Sequence, residues 1–205
     1  MPNARSRGPS PPSGLGSIQW REHHRNLCVA LRATVQLLAR TGDVEPYSAR
    51  IVERVGFYHA APAALLAWSR CRWGELGTVD LRDVIESRRV RILAEKGSAD
   101  RWTAPVPREA LRLWEAVDPR APIVVSSYDS LTAKLYQAQE WYQIKLPTGC
   151  HAGTHLFRHL WASWRLSEGD SLTQIAEGLG HRSERSTQAY CHEYAALITQ
   201  SPSME

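Results

Sequence analysis

Long apolar runs are missing from this 205-residue chain, whose longest extend only a few residues, whereas a membrane-spanning helix needs about 20. The sequence therefore offers no transmembrane helix. The basic N-terminal stretch, MPNARSRGPSPPSGLGS, lacks the apolar segment of a secretory signal. Cysteine is scarce as well. The four present, Cys28, Cys71, Cys150 and Cys191, stand far apart without a CxxC pair, which argues against a disulfide framework and against a paired-thiolate zinc site. Lysine is scarcer still, with only Lys96, Lys134 and Lys145 among 25 basic residues. These absences predict a soluble, intracellular protein, cytoplasmic and without membrane partners.

What is present fits one globular domain, or one domain with a short appendage: 43% of residues are hydrophobic and 22% charged. The net charge is +4, and residues 1–56 carry all of it, with 8 basic against 4 acidic side chains; the remainder holds 17 of each. An arginine bias suits bidentate phosphate contacts. It suits a GC-rich genome equally well, and with no basic block in the chain, charge alone does not single out nucleic acid.

Four prolines by position 12 and three glycines between 8 and 16 mark residues 1–16 as a disordered tail. A helix is predicted from Ser17 to Arg40, stopped by Thr41-Gly42, with Leu27, Leu31, Val35 and Leu38 as its buried stripe. A second helix follows Pro46 and a third runs from Pro62 to Trp68. Residues 89–106 change character. Val90 and Ile92, then Trp102, Ala104 and Val106, alternate with polar residues around Gly97-Ser98-Ala99-Asp100, the pattern of a β-hairpin with Lys96 near its turn. Helices are predicted again over 107–117, 127–145, 154–165, 171–179 and 184–198. The fold class expected is α+β, mainly α.

Five of the eight histidines fall between His151 and His192. In the stretch THLFRHLWASW, a helical wheel gathers Leu156, Phe157, Leu160, Trp161 and Trp164 on one side, and His155, Arg158 and His159 on the other. The plain reading of the second group is a solvent face. A metal reading exists too, since His155 and His159 stand at i, i+4, yet no carboxylate shares that face and Arg158 would repel the cation. The next helix, built on Leu172, Ile175, Ala176 and Leu179, stops at Gly180, so a turn positions His181. Tyr190 follows in STQAYCHEY, where an isolated tyrosine would ordinarily be half-buried with a bonded hydroxyl.

The order of these residues resembles the C-terminal signature of the tyrosine recombinases, the phage integrase family. That likeness rests on LFRH after a histidine, then LGH, then a tyrosine in a Thr-x-x-Tyr-x-His setting, at intervals of 3, 23 and 9 residues from His155 through Arg158 and His181 to Tyr190. Upstream, SRCRWGEL (69–76) resembles the family's T-G-x-R-x-x-E-L context and supplies Arg72, Glu75 and Leu76, and the hairpin supplies Lys96 where the family carries a lysine. The resemblance implies a catalytic domain of helices around a small antiparallel sheet over residues 57–200, preceded by a helical segment, 17–56, that is a reduced or missing core-binding domain. It implies a double-stranded DNA substrate, a nucleoid-associated location, a homo-oligomer (a tetramer) on DNA, and neither cofactor nor metal. Arg72 and Arg158 would grip the non-bridging phosphate oxygens, with His181 adding a hydrogen bond. Tyr190 would attack phosphorus, His155 would act as base for a phenol that is poorly ionised at neutral pH, and Lys96 would protonate the leaving 5′-oxygen.

Rival readings follow from the same residues. Arg72 could pair with Glu75 one turn on, and Lys96 could be an edge charge that discourages strand pairing. SLTQIAEGLGHRSERSTQAY also reads as a helix-turn-helix of a DNA-binding regulator. A type IB topoisomerase-like enzyme or an inactive integrase remnant would share much of the motif. The hairpin lysine and Arg72 discriminate against the regulator.

Overall fold

The computed structural model describes residues 17–76, 79, 84, 86–93, 100–103, 106, 127–147, 149 and 151–198. Helix α1 (Ser17–Leu38) closes two residues before the expected end. The N–H groups of Arg40 and Thr41 both turn back to the Leu37 carbonyl, at 3.0 and 3.1 Å. Leu38 is buried, and Leu31 and Val35 pack against the core beside it. Helix α2 (Pro46–Arg54) begins on a buried cap: the Glu45 carboxylate accepts from the Tyr47 and Ser48 N–H groups, each at 2.9 Å. Pro46 at the first helical position has no N–H to leave unsatisfied.

Helix α3 (Phe57–Ser69) starts five residues earlier than the proline suggested, and Pro62 lies inside it. Every residue from Ala60 to Ser69 is buried, which is the signature of a central helix surrounded on all sides. It packs against α1, α2, α4 (Trp73–Leu76), α5 (Tyr128–Trp141) and α6 (Leu156–Ser167). Arg70 ends it in the left-handed conformation, φ 56°.

The hairpin is present as strands β1 (Arg91–Ile92) and β2 (Arg101–Trp102), antiparallel, with Arg91 opposite Trp102 and Ile92 opposite Arg101. Its inward face departs from the sequence expectation. Val90, Ile92 and Val106 are buried, but Trp102 is 53% exposed with the Arg91 guanidinium 6.0 Å from its ring, while Arg101 and Thr103 take the inward positions. On β2 Trp102 faces outward because a buried carboxylate, Glu75, satisfies the inward charge of Arg101. Residues 94–99, where the turn and Lys96 were expected, lie outside the described residues, as does the helix expected over 107–117.

Helix α5 is capped by Ser127 and ends at Trp141, four residues short of the expected 145. Buried Gln139 supplies the reason: its side chain donates to the Ile144 carbonyl (3.2 Å) and accepts from the Ala152 N–H (3.1 Å), tying down the turn that leads away. A 3₁₀ turn, Gly153–His155, then feeds α6. Helix α7 (Leu172–Leu179) opens with a capping box between Ser171 and Gln174. The long helix expected over 184–198 is instead two short ones, α8 (Glu184–Gln188) and α9 (Tyr194–Leu197), separated by a non-helical link that carries Tyr190.

The main core joins Leu38, Ile51, Leu65, Leu76, Ile92, Leu135, Phe157 and Leu197 in one cluster. A smaller cluster of Trp161, Ala162, Ile175 and Leu179 has Trp164, Tyr190 and Cys191 packed on it. Both faces of α6 are thus occupied, which places its polar residues between two apolar masses. Among the described residues no helix is long and apolar enough to cross a membrane.

Candidate active site

Arg158 is the residue that the helical wheel placed on a solvent face, and it is wholly buried instead. Burial of a guanidinium requires acceptors, and the backbone provides them. Arg158 Nη1 donates to the Arg70 carbonyl at the left-handed end of α3, and Nη2 donates to the Leu179 carbonyl at 3.1 Å. Nη2 also lies 2.7 Å from His181 Nε2. Burial lowers the pKa of this arginine to about 10, with Arg72 and Arg101 adding to the shift; it stays charged at neutral pH.

His181 is held from both sides. Gly180 ends α7 at φ +70°, and the His181 N–H returns to the Ala176 carbonyl at 2.8 Å, a Schellman-type closure. Arginine can only donate, so His181 Nε2 is the acceptor from Arg158 and its proton sits on Nδ1, 3.0 Å from Thr187 Oγ1. Burial and then Arg158 and Arg72 push the ring down to about pKa 4, so it is neutral at pH 7.

Tyr190 reaches into the same space. Its hydroxyl lies 3.0 Å from His155 Nδ1, and the Arg158 guanidinium carbon lies 5.2 Å from the centre of its ring. The pKa of His155 is lowered by burial, then by Arg158 and Arg72, leaving a neutral imidazole able to accept the phenolic proton through Nδ1. The link bearing Tyr190 is pinned to α6. Ser163 Oγ donates to the Tyr190 carbonyl (3.1 Å) and accepts from the His192 N–H (3.0 Å), and His159 Nδ1 stands 3.1 Å from His192 Nε2. This pinning is why the expected continuous helix breaks here.

Arg72 joins through Glu75. The fully buried carboxylate accepts the Arg72 N–H at 2.7 Å and its Nη1 at 3.2 Å, and a third donor, Arg101 Nη2, reaches it at 3.2 Å. The one-turn pair weighed from the sequence therefore exists, but around a buried anion and not on the surface. Arg72 and Arg101 both bond this one carboxylate, and Arg158 lies near enough to feel its charge. The region carries more positive than negative charge and is suited to an anion.

The structure thus brings together Tyr190, His155, Arg158, His181 and Arg72, while Lys96 lies outside the described residues. It separates the two histidines of the metal reading: His155 turns to Tyr190 and His159 to His192, and no group of three metal-ligating side chains occurs among the described residues. Sequence reasoning missed Arg101 and Ser163; Thr187 and His192 stood in the motif around Tyr190, but their bonds to His181 and His159 were not legible there. Only Arg101 had a signal, as a charged residue that could occupy the inward register of β2.

A model of the phage integrase family matches residues 50–196 of this chain. Among curated relatives, tyrosine recombinase XerC of Corynebacterium glutamicum is 29% identical over 161 residues, covering 75% of this chain and 52% of that protein. Tyrosine recombinase XerC of Actinobacillus succinogenes is 32% identical over 151 residues, covering 68% and 50%. The chain spans about half the length of these relatives. Among solved structures, the crystal structure of XerA recombinase is similar at 19% identity and a TM-score of 0.48, over 93% of this chain and 62% of that one.

Proposed function

Because the chain belongs to the phage integrase family, we propose that it is a site-specific tyrosine recombinase that cuts and rejoins double-stranded DNA through a 3′-phosphotyrosyl intermediate. The observation that carries this reading is the 3.0 Å approach of the Tyr190 hydroxyl to His155 Nδ1 beside a buried, positively charged Arg158. Tyr190 Oη attacks phosphorus as its proton passes to His155 Nδ1. The bond from phosphorus to the 5′-oxygen breaks, Lys96 gives that oxygen a proton, and the products are a free 5′-hydroxyl and a tyrosine-linked 3′-phosphate. Arg72 and Arg158 hold the non-bridging oxygens, whose charge grows in the transition state, and His181 keeps the Arg158 fork in line.

Rejoining runs the sequence backwards. A 5′-hydroxyl attacks the phosphotyrosyl bond, His155 returns its proton to the tyrosine oxygen, and Lys96 recovers its own. The phosphotyrosine keeps the bond energy, so the chemistry calls for neither ATP nor a metal ion. A hydroxyl from a partner duplex makes the outcome strand exchange, carried out by four copies assembled on DNA.

The test is covalent trapping of the protein on nicked suicide duplexes from its own genomic neighbourhood, with a chelator present and Tyr190→Phe alongside. The expected result is a denaturant-resistant adduct that the substitution abolishes. Duplexes that bind tightly yet never give an adduct would overturn the reading.

A further inference from the structure

Arg101 was not among the residues to which the reaction assigns a role, yet it sits where the two phosphate-gripping arginines are anchored. Its side chain is 11% exposed. Its Nη2 donates to Glu75 Oε2 at 3.2 Å and to the Arg70 carbonyl at 3.4 Å. Glu75 is the carboxylate that holds Arg72, and the Arg70 carbonyl is the acceptor that holds Arg158. One nitrogen therefore spans the anchors of both. The same guanidinium lies against Gly180, where an added Cβ would fall 2.5 Å from Nη1 and 3.0 Å from Cδ, immediately before His181. Its Nε and Nη1 are buried and find no acceptor among the described residues.

We infer that Arg101 is a positioning residue, which fixes Arg72 through Glu75 and Arg158 through the Arg70 carbonyl and ties the β-hairpin to both. The inference rests on the proposed cleavage reaction for its consequence, though not for its geometry. An arginine displaced by about 1 Å from a developing oxyanion costs roughly 100-fold in rate, so the bridge matters even though Arg101 does not touch the phosphate.

Two variants of the full chain separate positioning from filling. Arg101→Met keeps the bulk and loses the donor; Arg101→Lys keeps a charged nitrogen able to span both acceptors. With side-chain ¹⁵N-labelled arginine and no DNA, the Arg101→Met protein is expected to show Arg72 and Arg158 resonances with increased fast motion. Arg165, bonded to Asp170 at 2.6 and 2.9 Å and not to Glu75 or the Arg70 carbonyl, serves as the unchanged reference. In Arg101→Lys the two arginines are expected to stay ordered. On a cleavable nicked duplex at saturating concentration, Arg101→Met is expected to form adduct about 10- to 100-fold more slowly. Arg101→Lys should recover most of that loss, and Arg101→Met should slow the Arg72→Ala protein by a smaller factor than it slows the unaltered one, because only its hold on Arg158 is left to lose. Arg72 and Arg158 as rigid in Arg101→Met as in the unaltered protein, or methionine and lysine equal in rate, would overturn the inference. If the unaltered protein forms no adduct, the cleavage reading fails by itself and the resonance comparison still decides the role of Arg101. If Arg101→Met does not fold, Arg101→Gln, whose amide ends where the arginine has Nε and falls two bonds short of both acceptors, takes its place in the same comparison.

Discussion

Replacing Gly180 by alanine brings two separable costs together at one position. The first is backbone: a residue with a Cβ at φ +70° loses about 1–2 kcal/mol in the left-handed region. The second is contact. The new methyl would stand 2.5 Å from Arg101 Nη1 and 3.0 Å from its Cδ and Cζ, so the guanidinium must swing away from Glu75. Losing one charged hydrogen bond to a buried carboxylate costs roughly 1.5–3 kcal/mol. The sum is about 2.5–5 kcal/mol. Gly149→Ala is the control, since Gly149 has φ +68° with nothing within 4 Å of an added Cβ, and only the backbone cost of about 1–2 kcal/mol applies. Urea unfolding followed by tryptophan fluorescence measures both, with the slope held common to the three proteins. Equal losses for Gly180→Ala and Gly149→Ala would refute the close approach of Arg101. A larger loss for Gly180→Ala should come with slower adduct formation, while Gly149→Ala leaves the rate alone.

Acid should destabilise the fold early. His155, His159 and His181 all have lowered pKa values, the latter two to about 4, so their contribution is full above pH 6.5 and is lost as pH falls towards 4. The raised carboxyl pKa of Glu45 acts in the opposite sense. For His159 alone the loss is about 2 kcal/mol between pH 7 and pH 5; urea midpoints at pH 7, 6 and 5 check this, and a flat profile contradicts it. Ser163→Ala removes the hydroxyl that bridges the Tyr190 carbonyl and the His192 N–H. It should cost about 1–3 kcal/mol in a thermal melt and slow adduct formation without weakening DNA binding. Thr187→Val keeps shape while removing the acceptor of the His181 Nδ1 proton. The expected result is a stability loss of about 1–2 kcal/mol, with the His181 tautomer unchanged, since Arg158 still needs Nε2 as its acceptor, and an Nδ1 ¹⁵N shift that reports the lost hydrogen bond.

Two kinds of information are separable in this chain. The sequence alone determined the element types and the identity of the reactive groups. The 3.6-residue stripe of Leu31, Val35 and Leu38 and the Gly180 stop are local signals, because each arises from residues within a turn or two of one another. The order of His155, Arg158, His181 and Tyr190 along the chain was equally legible. Tertiary structure decided which of these side chains are buried and what they touch. Arg158 looked solvent-facing because a helical wheel knows nothing of a second apolar cluster behind it or of an Arg70 carbonyl 88 residues away. Trp102 looked inward because apolar residues ordinarily are, until the buried Glu75 reversed the energetics of β2 in favour of Arg101. The break at Tyr190 came from Ser163, distant in sequence and one helix away in space. Local propensity acts over a few residues, whereas burial of charge is settled by partners that only the assembled fold brings within 3 Å.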